Sequence, residues 1–253
     1  MQLEQALGGM ESGLAADRGR RVAAFFDVDG TLVGGQSVWR GLWDYHQATR
    51  RNRGRMLSFV MANSARALLY ACGLWSRDRF VATSGERLAG IFAGLTPDEA
   101  GAMFAWIWEN SLRSSLRADV VARLRAHQKA GHLVALVSAT LQGLVEVVAE
   151  RLGGAVAVGS QLEVHDGRYT GQMVRPLCFG EHKATRARAV MAAAGGVDLP
   201  ASFAYADSAH DVPLLALVGH PTAVYPDSDL LALARARGWE VLGEREPRRQ
   251  RRR

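Results

Sequence analysis

The sequence contains little cysteine. Only two cysteines, Cys72 and Cys178, occur in 253 residues, and they do not form a CxxC pair. This argues against a disulfide framework and against a zinc site. The first twenty-one residues also lack the apolar segment of a signal peptide. Together these absences predict a protein of the reducing cytoplasm.

A long uncharged apolar run is also missing. The best candidate, residues 56–75, has the length of a membrane span, but Asn63 and Arg66 lie near its centre. A charged residue at that depth costs about 2.5–3.5 kcal/mol on insertion scales. The run therefore favours a buried helix in the middle of the chain, with a helix lying on a membrane surface as the less favoured alternative.

The excess of positive charge is confined to two segments. The net charge is +6, and residues 34–115 contain ten arginines against six acidic residues. The tail, residues 244–253, contains six arginines and two glutamates. A nucleic-acid-binding domain more often carries a basic face on its folded core. We therefore expect a solvated, disordered tail and no nucleic-acid partner, while contact of the tail with nucleic acid or lipid headgroups is the alternative.

Apolar periodicity divides the chain into two kinds of structure. Residues 34–115 have helical periodicity and contain five of the six tryptophans, which predicts a separate all-helical unit. Residues 1–33 and 116–243 alternate apolar strands with amphipathic helices, which predicts an α/β core with a parallel sheet. Within these units, Thr96 begins a capping box, and Asp166-Gly167 predicts a two-residue hairpin.

Polar side chains follow the apolar strands of the predicted core. In an open parallel sheet, the carboxyl ends of the strands meet at one edge, where ligands bind. We expect four acids, one serine and one lysine at that edge: Asp27 and Asp29 after the first strand, Ser138 after the second, Lys183 in the first turn of a helix, and Asp207 and Asp211 after a later strand.

The paired acids of "FFDVDGTL" favour a divalent cation. Residues i and i+2 of an extended chain point to the same side, so Asp27 and Asp29 can face one pocket. Close carboxylates repel unless a cation lies between them, and hard oxygen ligands suit Mg²⁺. A calcium loop does not fit, because Leu32 and Val38 occupy positions where that loop needs Gly and Glu. A simple hairpin does not fit either, since the following residues do not alternate.

These motifs resemble those of the haloacid dehalogenase (HAD) superfamily. "DVDGT" is similar to its first motif, "LVSAT" to its second, Lys183 in "GEHKATR" to its third and "YADSAHD" to its fourth, all in the family order between residues 22 and about 225. The resemblance implies a Rossmann-like core with a helical cap at residues 34–115. The branch that it resembles is the phosphoserine-phosphatase-like group.

The resemblance also implies the roles of the residues in a phosphatase. Asp27 would be the nucleophile, and Asp29 would exchange protons with the leaving alcohol and with water. Mg²⁺ would bind to Asp27, Asp207 and the backbone carbonyl of Asp29, with Asp211 nearby. Ser138 and Lys183 would bind the phosphoryl oxygens. The expected substrate is a small phosphorylated metabolite.

The fourth motif departs from the branch that it resembles. His210 stands where phosphoserine phosphatases have Asn, so phosphoserine is not a favoured substrate. His210 is a candidate for substrate contact, with a surface position as the alternative. A phosphotransferase with the same site, and a non-catalytic module that binds phospho-ligands or a membrane surface, remain alternative functions.

Overall fold

A parallel sheet forms the centre of the computed structural model, which describes residues 21–35, 37–50, 53–75 and 77–243. The strands of the described residues are β1 (Ala23–Phe26), β2 (Leu133–Leu141), β3 (Val156–Ser160), β4 (Leu162–His165), β5 (Arg168–Met173), β6 (Phe203–Ala206), β7 (His220–Val224) and β8 (Glu240–Leu242). Six of them form the sheet, in the order β3-β2-β1-β6-β7-β8, and β4 pairs with β5 in a separate hairpin. The α/β fold class expected from the sequence is confirmed.

The helices of the described residues lie between these strands along the chain. They are α1 (Ser37–Thr49), α2 (Arg53–Ala71), α3 (Arg77–Phe92), α4 (Pro97–Ile107), α5 (Ala118–Lys129), α6 (Gln142–Arg151), α7 (Glu181–Ala193), α8 (Val212–Leu215) and α9 (Ser228–Arg237). A π-helical turn at Trp108–Leu112 and a 3₁₀ turn at Arg113–Ser115 follow α4. Helices α1 to α4 fall within residues 34–115, and the boundaries of a cap at those residues stay a prediction.

The sheet buries side chains on both faces. In β1, Ala24 and Phe26 belong to one apolar cluster, and Ala23 and Phe25 belong to another. Successive side chains of a strand point to opposite faces, so a strand covered on both sides reads as a continuous apolar run. This explains the "VAAFF" run that precedes the first acid.

Two local signals of the sequence form the structures that they predict. The Thr96 hydroxyl accepts a hydrogen bond from the backbone N–H of Glu99, whose carboxylate accepts one from the Thr96 N–H. This capping box begins α4. Asp166 and Gly167 both have positive φ, at 47° and 73°, and they join β4 to β5. Such φ angles are those of the tight hairpin turns that Asp-Gly favours.

The prediction of a buried helix at residues 56–75 was wrong in part. Met56 and Phe59 of α2 are buried, but Leu57, Met61 and Leu68 are 54, 67 and 64% exposed. The helix therefore has two apolar faces, of which one packs against the protein and the other faces solvent. Among the described residues, no helix is long and apolar enough to span a membrane.

Two regions considered from the sequence fall outside the described residues. They are the N-terminal segment, residues 1–20, and the arginine-rich tail, residues 244–253. The prediction of a disordered tail therefore stays a prediction.

Candidate active site

Two neighbouring strands place the first acids of the site. Asp27 follows β1 and Asp207 follows β6, and these parallel strands are adjacent. The backbone N–H of Asp27 donates to the carbonyl of Tyr205 at 2.9 Å, which extends the pairing of the strands by one residue. The strand order reverses here, since β1 lies between β2 and β6. Such a reversal is where open α/β sheets form their ligand crevices.

A tight turn after β1 brings the backbone against Asp207. The N–H of Gly30 donates to the carbonyl of Val33, and the N–H of Val33 donates to that of Val28, at 2.8 and 2.9 Å. Gly30 has a φ of +86°, and a Cβ atom there would lie 2.3 Å from Oδ2 of Asp207. Glycine is therefore required at this position both by the backbone angle and by the space.

Lys183 links two of the acids. It lies in the first turn of α7, and its Nζ is 2.6 Å from Oδ1 of Asp27 and 2.7 Å from Oδ1 of Asp211. All three side chains are buried. Burial alone would lower the pKa of Lys183, but the carboxylates of Asp211 and Asp27 together raise it above its ordinary value. The ammonium group thus stays charged inside the site.

Three buried carboxylates converge around this lysine. Oxygen atoms of Asp27, Asp207 and Asp211 lie within 4.8 Å of one another. If all three are ionised, the charge of Lys183 offsets only one of them, and buried charge without compensation is costly. An all-oxygen donor set with excess negative charge fits a hard divalent cation. The structure brings together three of the four acids that the sequence predicted at the strand ends.

Asp29 lies outside this cluster. Its side chain is among those that line a cavity of about 430 Å³ between α2, α3 and the end of β2. Burial, together with the negative charge of Asp27, raises the pKa of Asp29 to about 7, although Lys183 opposes the shift. The predicted contribution of Asp29 to metal binding is through its backbone carbonyl, and it stays a prediction.

Ser138 is buried where the pairing of β2 with β3 becomes irregular. The register of these strands shifts between Val137 and Leu141. The Ser138 hydroxyl accepts a hydrogen bond from the backbone N–H of Thr140 at 3.3 Å. Ser138 thus lies within β2, where its regular pairing with β3 ends, and not after the strand as the sequence predicted. Its phosphate contact stays a prediction.

His210 lies beside the cavity wall. It belongs to a 3₁₀ turn, Ala209–Asp211, that follows β6, and its ring centroid is 5.0 Å from that of Phe179. Phe179 lines the cavity. His210 therefore contacts a lining residue, and its direct contact with a substrate stays a prediction.

Sequence reasoning missed the role of Thr31. This buried side chain donates a hydrogen bond from Oγ1 to Oδ2 of Asp27 at 3.2 Å. Lys183 holds the other oxygen of the same carboxylate. The signal was present, since Thr31 is the last residue of the "DVDGT" motif. The two donors fix the orientation of the Asp27 carboxylate.

Sequence reasoning also missed Asp227, which follows β7. Its N–H donates to the carbonyl of Asp207 at 2.9 Å, and its Oδ2 accepts a hydrogen bond from the N–H of Ala209 at 3.3 Å. Its Oδ1 accepts one from the N–H of Leu230 at 2.9 Å and so caps α9. Asp227 thereby ties the loop after β6 to its neighbour. No single motif of the sequence indicated this link.

Comparison with known proteins identifies the family. The family model described as haloacid dehalogenase-like hydrolase matches residues 24–216. A Mycobacterium tuberculosis protein named phosphoserine phosphatase SerB1 is 35% identical over 222 residues, which cover 87% of this chain and 70% of the relative. The match spans both the strand-end residues and the helical segment.

Two solved structures resemble the fold. A Bordetella pertussis protein of unknown function is 30% identical, with a TM-score of 0.74 over 89% of this chain and 99% of its own. A substrate-bound phosphoserine phosphatase has a TM-score of 0.60 at 15% identity, over 91% of this chain and 96% of its own. The second similarity shows the fold alone.

Proposed function

The chain belongs to the haloacid dehalogenase-like hydrolase family, and on that premise we propose that it is a Mg²⁺-dependent phosphatase of small phosphomonoesters that acts through an aspartyl-phosphate intermediate. The relative named phosphoserine phosphatase supports phosphatase activity. The observation that carries the proposal is the convergence of Lys183 with three buried carboxylates at the reversal in strand order.

Asp27 is the nucleophile of the first step. One of its carboxylate oxygens forms a bond to phosphorus while the bond from phosphorus to the ester oxygen breaks. Asp29, which lines the cavity, transfers its proton to the departing oxygen, so that the product leaves as a neutral alcohol. The phosphoryl group is then carried by Asp27, and Asp29 is a carboxylate.

Water completes the second step. The Asp29 carboxylate takes a proton from a water molecule as the water oxygen bonds to phosphorus. The bond between phosphorus and the Asp27 oxygen breaks, and inorganic phosphate leaves. Asp27 is again a carboxylate and Asp29 is again protonated, so both residues are ready for another substrate.

Positive charge and hydrogen-bond donors hold the phosphoryl group. Lys183 would bind a phosphoryl oxygen and orient Asp27, and the Ser138 hydroxyl would donate to another oxygen. Asp27, Asp207 and Asp211 would hold Mg²⁺, with Asp29 contributing its backbone carbonyl. When bound, the ion supplies positive charge that stabilises the phosphoryl oxygens during transfer.

Helices α1 to α4 would form the cap that covers the site, and we place its boundaries at residues 34 and 115. A cap excludes water until the substrate is bound. We also expect a cytoplasmic location, because neither free cysteine, exposed Cys72 nor buried Cys178, forms a disulfide.

Phosphate release from a panel of phosphomonoesters tests the proposal. The wild type and Asp27→Asn are compared with Mg²⁺ and with EDTA, and Asp229→Asn, at an exposed position of α9, is the control. We expect Mg²⁺-dependent release that Asp27→Asn abolishes and the control retains. Acid-quenched wild type should carry a phosphoryl group on Asp27 by mass spectrometry. Full activity of Asp27→Asn would disprove the proposed nucleophile.

A further inference from the structure

The cavity beside Asp29 is built mainly of apolar side chains. Seventeen described residues line it, and eleven of them are apolar. The apolar wall includes Phe59, whose ring stacks on that of Trp39 at a centroid distance of 5.5 Å. The cavity has a volume of about 430 Å³, within the range of about 300–1,000 Å³ that is usual for small-molecule sites. Because Asp29 faces this space, the leaving group of the proposed reaction would occupy it.

Charged side chains are scarce among the described residues of the same wall. Asp29 is the one charged residue among the described residues of the lining, and the uncharged polar ones are Asn63, Ser64, Ser84 and Thr140. Two of these are hydrogen-bonded to each other, since the Ser84 hydroxyl donates to Oδ1 of Asn63 at 3.3 Å. Among these residues a carboxylate on the leaving group would find no partner of opposite charge, and an ammonium group would find only Asp29, whose proposed role is to transfer a proton. Burying either charge here is therefore unfavourable.

We propose that the substrate is a phosphomonoester of an uncharged, largely apolar alcohol, and that α2 and α3 select it through this cavity. The inference rests on the proposed function and names the substrate class of the same site. An amino-acid phosphate is a poor fit, because its ammonium and carboxylate groups would both need partners. An alkyl or aryl alcohol needs none, and its burial is favourable in proportion to its apolar area.

A series of straight-chain alkyl phosphates, from methyl to octyl, tests the proposal against phosphoserine. The readout is kcat/KM for phosphate release with Mg²⁺. We expect kcat/KM to rise roughly threefold to fourfold for each methylene group that enters the cavity. We also expect butyl phosphate to exceed phosphoserine, which has a similar size, by at least tenfold.

Two matched variants of α2 test whether the cavity determines the substrate selectivity. Ala67 lines the cavity, whereas the adjacent exposed residue Leu68 does not. Ala67→Asp should reduce the ratio of kcat/KM for octyl over methyl phosphate at least tenfold. Leu68→Asp adds the same charge one residue away and should leave that ratio unchanged. An equal loss in both variants would overturn the assignment of the cavity.

Two results separate this inference from the proposed function. If kcat/KM did not change along the alkyl series and phosphoserine were hydrolysed best, the inferred substrate class would be wrong. The proposed phosphatase function would still stand. Release from none of the esters by folded protein that contains Mg²⁺ would overturn the proposed function, and the inference with it.

Discussion

The ammonium nitrogen of Lys183 lies 2.6 Å from Oδ1 of Asp27, although 156 residues separate them in the chain. The lysine reaches this position from the first turn of α7, while the aspartate ends β1. Because both side chains are buried, the ion pair is shielded from screening by salt. The contact fixes one oxygen of the proposed nucleophile and places a positive charge where the phosphoryl group would bind.

Replacing this lysine should abolish activity. Lys183→Met keeps much of the length of the side chain but removes its charge, so Asp27 and Asp211 lose their shared partner. We expect kcat/KM to fall at least 100-fold, the scale of losing one electrostatic contact in a transition state. Lys129→Met changes an exposed lysine at the end of α5 and is the control. Phosphate release and thermal unfolding of both variants provide the measurement.

Lys183→Met should also be less stable than the wild type. Removing one partner of a buried ion pair leaves uncompensated charge and typically costs about 3–5 kcal/mol. Added Mg²⁺ should restore part of that loss if the three carboxylates bind it. Unchanged thermal stability of Lys183→Met, with or without Mg²⁺, would contradict the buried charge network.

Gly30 should tolerate no side chain. In Gly30→Ala the new Cβ would meet the Asp207 carboxylate, so the turn or the acid must move. Gly35→Ala is the matched control, because Gly35 also has a positive φ, of +75°, but a Cβ atom there would lie within 4 Å of no described residue other than its chain neighbours. Both variants should lose about 1–2 kcal/mol through backbone strain.

Only Gly30→Ala should also lose activity and Mg²⁺ affinity, by at least tenfold, as measured by titrating Mg²⁺ in the phosphatase assay. Equal Mg²⁺ dependence in the two glycine variants would show that the contact of Gly30 with Asp207 does not matter for the site.

Local patterns predicted most of the fold. Continuous apolar runs indicated strands covered on both faces, and Thr96 and Asp166-Gly167 marked a helix start and a hairpin because their signals act within a few residues. The strand-end acids were predictable because parallel strands share one edge. The exposed face of α2 was not predictable, because apolar composition does not show which of two apolar faces packs against the rest of the protein. The role of Thr31 was missed because its contact with Asp27 depends on the orientation of a side chain. The role of Asp227 was missed because its contacts are with the loop that follows another strand.

Asp227 should act as a positioning residue for Asp207. Asp227→Ala removes hydrogen bonds to the N–H groups of Ala209 and Leu230, and loss of a helix cap costs about 0.5–2 kcal/mol. We expect lower thermal stability and weaker Mg²⁺ affinity. Asp227→Asn keeps one of the two acceptor oxygens and should recover only part of the stability and of the Mg²⁺ affinity. If Asp227→Ala lost stability but kept its Mg²⁺ affinity, the residue would serve only as a cap of α9.

His127 should make the fold sensitive to mild acid. Its Nε2 lies 2.9 Å from the hydroxyl of Tyr205, and its Nδ1 lies 2.8 Å from Nδ1 of His132. Burial, followed by the nearby His132 and Arg123, lowers the pKa of His127 from 6.5 to about 4. The unfolded chain therefore binds a proton in this pH range more readily than the folded one.

Stability should consequently fall as the pH decreases from 6.5 towards 4, by an amount of the order of 2 kcal/mol at pH 5 from this residue. Replacing it with glutamine, His127→Gln, removes the titration. The wild type should then lose more stability than this variant between pH 7 and pH 5, as measured by urea unfolding. His165→Gln, at an exposed histidine of the hairpin, should keep the wild-type pH dependence. Parallel pH profiles for the wild type and His127→Gln would mean that His127 accepts its proton as easily in the folded protein as in the unfolded chain, and that burial beside His132 and Arg123 does not oppose its charging.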